Sequence, residues 1–118
     1  MPVDRGDVFY TGNTIELEYN LQKNDEVWNL NGCEIWFILV GQDKTLKAKS
    51  GTTGEISVEI LDAAKGNFVV VVPADVSKTL PVGTYEFEIA IKSNDNKRTT
   101  VKQDRLTIAK SLIDWNAN

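Results

Sequence analysis

The sequence predicts an all-β protein, an antiparallel β-sandwich of about seven strands. Apolar and polar residues alternate with a period of two in several segments. β-branched runs recur roughly every ten to fifteen residues between Gly, Asn and Asp turns, which is typical of a sandwich. Helical spacing is almost absent. The 118 residues, 42% of them hydrophobic, suffice for one domain with a substantial core.

The first half of the chain contains two clear strand patterns. In residues 14–21 the odd-numbered positions are apolar and the even-numbered positions are polar, which predicts one buried and one wet face. A polar turn at 22–26 leads to a second strand at 33–40, where this alternation fails. The odd-numbered residues of the second strand are apolar, and three residues on its opposite face are apolar too: Trp36, Ile38 and Val40.

The middle of the chain predicts two strands joined by a tight turn. Residues 55–61 alternate, and the turn after them ends at Gly66, which supplies a left-handed residue at no steric cost. The next strand, 67–72, stops before a proline, because proline cannot donate to a sheet ladder. This strand is also apolar on both faces, with Phe68, Val70 and Val72 on one face and Val69 and Val71 on the other.

The last part of the chain predicts one short helix and a long hairpin. Residues 74–80 are the helix candidate. Residues 83–92 alternate throughout, and a polar turn joins them to a strand at 97–109. We find no linker and no internal repeat, so we expect one sandwich at 1–110 followed by a C-terminal tail at 111–118.

Composition argues against several classes of function. The chain has no histidine, the commonest general base and metal ligand, and we expect no catalytic residue, metal or cofactor. Its formal charge of −4 argues against a nucleic-acid partner. It has no apolar run of about 18 residues for a membrane span. The start lacks a signal-peptide pattern, so we expect synthesis in a cytoplasm. The single Cys33 is predicted to be a buried, unreactive thiol.

Charge is unevenly distributed along the chain. Residues 1–34 contain seven acidic and two basic side chains, a formal charge of −5, whereas residues 92–110 contain six basic and two acidic ones, a charge of +4. One interpretation is that two strands expose different charges to solvent. The other is head-to-tail assembly of copies, acidic edge to basic edge.

Two glutamate pairs are the candidates for acid chemistry. Glu16/Glu18 and Glu86/Glu88 are spaced two residues apart on one strand face, roughly 6.5–7 Å, which would suit glycoside hydrolysis inside a cleft. Alternating glutamates also keep a sheet face wet, and we adopt this interpretation. No calcium-loop or phosphate-loop motif is present.

The surplus apolar residues predict a protein interface. One sandwich core does not need Trp36, Ile38, Val40, Val69 and Val71 as well as the regular inward positions. Three alternatives stay open: these side chains are covered by Trp28 and a loop at 44–54, they are covered by the C-terminal tail, or the strand register is misassigned. The tail contributes three further candidates, Leu112, Ile113 and Trp115, which pack either on their own sheet or on a neighbouring subunit.

The residues at the start of the 83–92 strand resemble a known structural motif. Leu80-Pro81-Val82-Gly83-Thr84-Tyr85 is similar to the tyrosine corner of immunoglobulin-like sandwiches, whose tyrosine hydroxyl bonds to nearby backbone. The resemblance implies an immunoglobulin-like fold without its disulfide, with Tyr85 as a structural residue.

Four short motifs in order narrow the resemblance. They are Arg5-Gly6-Asp7, Asn29-Leu30-Asn31-Gly32, Asp62-Ala63-Ala64-Lys65-Gly66 and the corner itself. Together they resemble the immunoglobulin-like domains of tailed-bacteriophage virion proteins, similar to the N-terminal domain of baseplate upper proteins and to short tail or head accessory proteins. The sequence departs from that pattern at Asn29 to Gly32, where the family commonly has Asp-Leu-Thr-Gly.

The resemblance implies a non-enzymatic structural protein of the virion, a tail or baseplate accessory that acts through protein–protein contacts. A capsid decoration or head-fibre protein is the nearest alternative, and a carbohydrate-binding module is the alternative from another class. The expected partners are other virion proteins or further copies of the chain, in an oligomeric particle. The expected location is the virion, after synthesis in a bacterial host.

Overall fold

The computed structural model describes residues 6–113, and the chain there consists mainly of strands and turns. One 3-10 turn, Ala63–Lys65, and one short helix, α1 (Ala74–Ser77), interrupt the strands. The strands in chain order are β1 (Asp7–Tyr10), β2 (Ile15–Asn20), β3 (Gln22–Lys23), β4 (Glu26–Val27), β5 (Glu34–Val40), β6 (Thr45–Lys49), β7 (Ser57–Asp62), β8 (Asn67–Val72), β9 (Gly83–Lys92) and β10 (Arg98–Ala109).

Two sheets pack face to face. The larger has the order β1-β10-β9-β5-β6, and the smaller has the order β2-β8-β7. Strands β3 and β4 pair with each other as a small hairpin that the sequence did not predict. In the larger sheet, β10, β9 and β5 occupy the positions of immunoglobulin strands G, F and C. In the smaller sheet, β2, β8 and β7 occupy the positions of strands B, E and D. The prediction of an all-β, immunoglobulin-like sandwich is confirmed.

One edge of the larger sheet departs from antiparallel pairing. Strand β1 runs parallel to β10, with Asp7 opposite Leu106 and Tyr10 opposite Ala109. Gly6 permits this close start, because its φ is +66° and a Cβ there would lie 1.8 Å from the carbonyl oxygen of Arg105. The chain thus enters the sandwich along its last strand before crossing to the other sheet.

The core lies between the inner faces of the two sheets. Alternation places Ile35, Phe37 and Leu39 of β5 inward, and all three are almost fully buried. Phe68 of β8 is also fully buried, and its ring centroid lies 5.5 Å from that of Tyr19. The other inward residues of β2, β7, β8, β9 and β10 join the same cluster: Ile15, Leu17, Val58, Val70, Val72, Tyr85, Phe87, Ile89, Ile91, Leu106 and Ile108.

The segment 44–54, one of three possible explanations for the surplus apolar residues, contains a strand. Thr45–Lys49 pairs antiparallel with β5 and forms one edge of the larger sheet. Leu46 is buried in the core, whereas Lys47 faces outward. This segment therefore extends the outer face of the larger sheet and does not cover it.

Two corners of the sandwich are held by specific bonds. At the turn before β8, the Asp62 carboxylate accepts a hydrogen bond from the backbone N–H of Lys65 at 3.3 Å, and Gly66 closes the turn with a φ of +73°. A Cβ at Gly66 would lie 2.7 Å from the carbonyl oxygen of Leu21, so glycine is required sterically as well. Before β9, the Tyr85 hydroxyl donates to the carbonyl oxygen of Pro81 at 2.6 Å, the bond of a tyrosine corner.

Candidate functional site

Strand β5 carries an exposed apolar row on the outer face of the larger sheet. Because side chains alternate along a strand, burial of the odd-numbered residues of β5 turns Trp36, Ile38 and Val40 outward. Trp36 is 44% exposed and Val40 is 42% exposed, while Ile38 is half-buried between them. The register that the sequence predicted for this strand is therefore the observed one. We call this outer surface, from β6 across β5 and β9 to β10, the Trp36 face.

Charged side chains border this apolar row on both sides. On the β6 side Lys49 pairs with Trp36 and Lys47 with Ile38, and on the β9 side Glu88 pairs with Ile38. The Lys49 ammonium lies 5.1 Å from the centroid of the Trp36 ring and 3.3 Å from the Glu34 carboxylate. These contacts hold the indole against its own sheet edge and contribute little to stability, because all of these groups are accessible to solvent.

An open depression of about 700 Å³ lies beside the tryptophan. Its lining combines apolar side chains, among them Trp36 and Ile38, with the basic Lys47 and Arg98 and the acidic Glu88. A shallow surface of this kind is typical of a protein-binding site with an aromatic anchor.

The glutamate pair on β9 lies on the same face. Glu86 is exposed, and Glu88 is half-buried. The Glu88 carboxylate accepts hydrogen bonds from the side chains of Gln103 and, at 3.4 Å, Thr100. The other predicted pair, Glu16/Glu18, is exposed on the opposite side of the molecule. The structure thus places both pairs on sheet faces, as expected of glutamates that keep a face wet.

The valines of β8 lie on the outer face of the smaller sheet, on the other side of the sandwich from Trp36. Val69 lies between Glu18 and Glu59, and Val71 lies between Glu16 and Ser57. Val69 is only 8% exposed, and Val71 is half-buried. The predicted interface residues therefore form two separate surfaces. We call the outer surface of β2, β8 and β7 the Val71 face.

The described part of the tail does not cover the Trp36 face. Leu112 is fully exposed and Ile113 is 59% exposed, and neither packs on the core. The tail leaves the sandwich beside β1, where the backbone N–H of Ser111 donates to the hydroxyl of Thr11 at 3.2 Å. Trp115 lies outside the described residues.

Sequence reasoning missed the lysines of β6. Lys47 and Lys49 border the apolar row because they alternate with the inward-facing Leu46 and Ala48. That alternation over five residues was the available signal, but the neighbouring glycines and threonines at 51–54 had suggested a loop.

Cys33, which was predicted to be buried, is only half-buried in the structure. Burial and the nearby Asp95 carboxylate raise the pKa of the Cys33 thiol, which disfavours the reactive thiolate. No group of three or more candidate metal ligands occurs in the described range, and no helix there has the length and apolar character to cross a membrane.

Comparisons with known proteins identify a family. The family model described as BppU N-terminal domain, BppU being baseplate upper protein, matches residues 7–118. A search of curated proteins found no match. Among solved structures, the chain is similar to a putative glycoside hydrolase from Bacteroides vulgatus ATCC 8482, with a TM-score of 0.51 and 8% sequence identity. That similarity covers 90% of this chain and 17% of the other, and at this identity it shows the fold alone.

Proposed function

Because the chain belongs to the phage family of BppU N-terminal domains, we propose that it is a non-enzymatic accessory subunit of a baseplate, acting through protein–protein contacts. The family makes the chain a phage baseplate-associated structural protein, and its expected place is the virion. The Trp36 face supports the finer proposal. It would be the surface by which the subunit is held in the baseplate.

The exposed aromatic side chain of Trp36 supports a protein interface at this surface. Burying the remaining accessible surface of Trp36, Ile38 and Val40 against a partner would remove apolar area from water, at about 25 cal/mol per Å². Tryptophan in a shallow apolar depression is also the residue type most often found at the centre of an interface. The surrounding Lys47 and Glu86 would form its polar rim.

The absence of histidine and the open position of the glutamates support a non-enzymatic role. Glu86 and Glu88 face solvent on a shallow sheet surface, where neighbouring side chains bond to Glu88.

The alternatives from the sequence are a capsid decoration or head-fibre protein and a carbohydrate-binding module. The family favours the baseplate over the head. A sugar would have to stack on the Trp36 ring, and Lys49 already lies over that ring. Titration with glycans of the host cell wall tests the second alternative, because saturable binding that is lost in Trp36→Ala would favour it.

The proposed function is tested in assembled particles. We expect Trp36→Ala combined with Ile38→Ser to reduce the amount of the chain in purified virions at least about tenfold, measured by quantitative mass spectrometry. Val27→Ser, which alters a 51% exposed valine of the β3–β4 hairpin, is the matched control and should leave incorporation unchanged. Unchanged incorporation of a folded Trp36→Ala/Ile38→Ser variant would overturn the proposal.

A further inference from the structure

We propose that the partner of the Trp36 face is the Val71 face of a second copy of the chain, so that copies stack head to tail. This inference rests on the proposed function, because it names the partner of the same surface. Its support is the opposite charge of the two faces.

The Val71 face is uniformly acidic. Strands β2, β7 and β8 contain no lysine or arginine, and Glu16, Glu18 and Glu59 point outward around the two valines. Leu61, 51% exposed on β7, adds an apolar group to this face. The surface therefore has an apolar centre within a negative border, and a complementary partner needs an apolar centre within a positive border.

The Trp36 face meets that requirement in its net charge. Its outward positions include five basic residues against three acidic ones: Lys47, Lys49, Lys92, Arg98 and Arg105 against Glu34, Glu86 and Glu88. Glu34 is neutralised within the chain, because its carboxylate lies 3.3 Å from the Lys49 ammonium and 3.7 Å from that of Lys92. Within residues 6–113, Lys47 and Arg98 make no ion pair, and both line the depression beside Trp36.

The two faces lie on opposite sides of each copy, so the contact is heterologous and repeats. The Val71 face of the first copy contacts the Trp36 face of a second copy, and the Val71 face of the second contacts the Trp36 face of a third. Repetition of this contact gives a ring or a filament. A single contact is small. Three strands of six residues cover about 300 Å², against about 800 Å² per partner in a standard interface. We therefore expect weak association in solution and tight association only where many copies are held together.

Charge reversal tests the pairing of the faces. Sedimentation velocity of the purified chain near millimolar concentration should show a mass that rises with concentration and falls at 1 M salt, where the Debye length is about 3 Å. Lys47→Glu/Arg98→Glu and, separately, Glu16→Lys/Glu59→Lys should each lower the association constant at least about tenfold. Mixing these two variants, each of which associates more weakly alone, should restore association, because every contact between them again joins opposite charges.

The control and the outcomes separate this inference from the proposed function. Asp25→Lys/Glu26→Lys, in the exposed β3–β4 hairpin outside both faces, changes the net charge by the same amount and sign as Glu16→Lys/Glu59→Lys and should keep self-association near the unaltered level. A chain that stays monomeric near millimolar concentration, or a mixture that fails to recover association, overturns the stacking. If Trp36→Ala/Ile38→Ser still prevents incorporation into virions, the proposed function stands. If the chain stacks in solution but the folded Trp36→Ala/Ile38→Ser variant is incorporated into virions at the unaltered level, the proposed function is overturned instead.

Discussion

The two faces of strand β5 have nearly the same composition and opposite environments. Ile35, Phe37 and Leu39 are at most 3% exposed, whereas Trp36 and Val40 are more than 40% exposed on the same strand. Residue type does not distinguish these faces, because both are apolar. The difference shows that one face of β5 is committed to the core of the single chain and that the other remains accessible to solvent.

The largest expected difference in the free energy of unfolding is between variants of Phe37 and Trp36, two aromatic residues that are neighbours in sequence. Phe37→Ala should lower the free energy of unfolding by about 3–5 kcal/mol, because it leaves a cavity beside Phe87, whose ring centroid lies 5.9 Å away. Trp36→Ala removes a larger side chain but should cost about 1 kcal/mol or less, because Trp36 is partly solvated already. Urea denaturation of both variants measures the difference. Equal losses would show that the outer face is part of the core.

Much of this difference could be predicted from the sequence. The strict alternation in β9 identified its inward residues directly. In β5, where both rows are apolar, the period of two only separated the odd-numbered residues from the Trp36 row. The sequence did not show that Val69 and Val71 lie on the opposite side of the molecule, because strand pairing, unlike alternation, depends on contacts between distant segments. Nor did it predict the parallel β1–β10 edge, since four residues carry too little pattern.

The inner face of β9 offers a smaller test, because one of its residues has a polar end. Tyr85 is 3% exposed, and its hydroxyl bonds to the carbonyl oxygen of Pro81. Tyr85→Phe keeps the buried ring and removes this bond, so we expect a loss of about 1 kcal/mol in the free energy of unfolding. Tyr10→Phe, which changes a tyrosine 47% exposed on β1, is the matched control and should be neutral. A neutral Tyr85→Phe would show that packing of the ring alone holds the corner.

An effect that appears only at high pH concerns Tyr19, at the boundary between the inner face and solvent. Its pKa is raised from 10.0 to about 12, because burial disfavours the phenolate and the Asp104 and Asp7 carboxylates repel it. The folded chain therefore keeps this proton between pH 10 and about 12, where the unfolded chain releases it. The stabilisation is complete below pH 10 and is lost as the pH rises towards 12. Since Tyr19 is only partly buried, we expect about 1 kcal/mol.

Chemical denaturation from pH 9 to 12 measures this loss in free energy of unfolding. Variants that each change one ionisable group show whether Tyr19 causes it. Tyr19→Phe should flatten the decline relative to the unaltered chain, and Asp104→Asn should flatten it in part, because one of the two repelling carboxylates is removed. Tyr10→Phe should leave the decline unchanged. An identical decline in Tyr19→Phe would mean that Tyr19 ionises as freely as a solvated tyrosine. The rim of the inner face would then behave like the outer face, and the contrast between the two faces would hold only for the central residues of the strands.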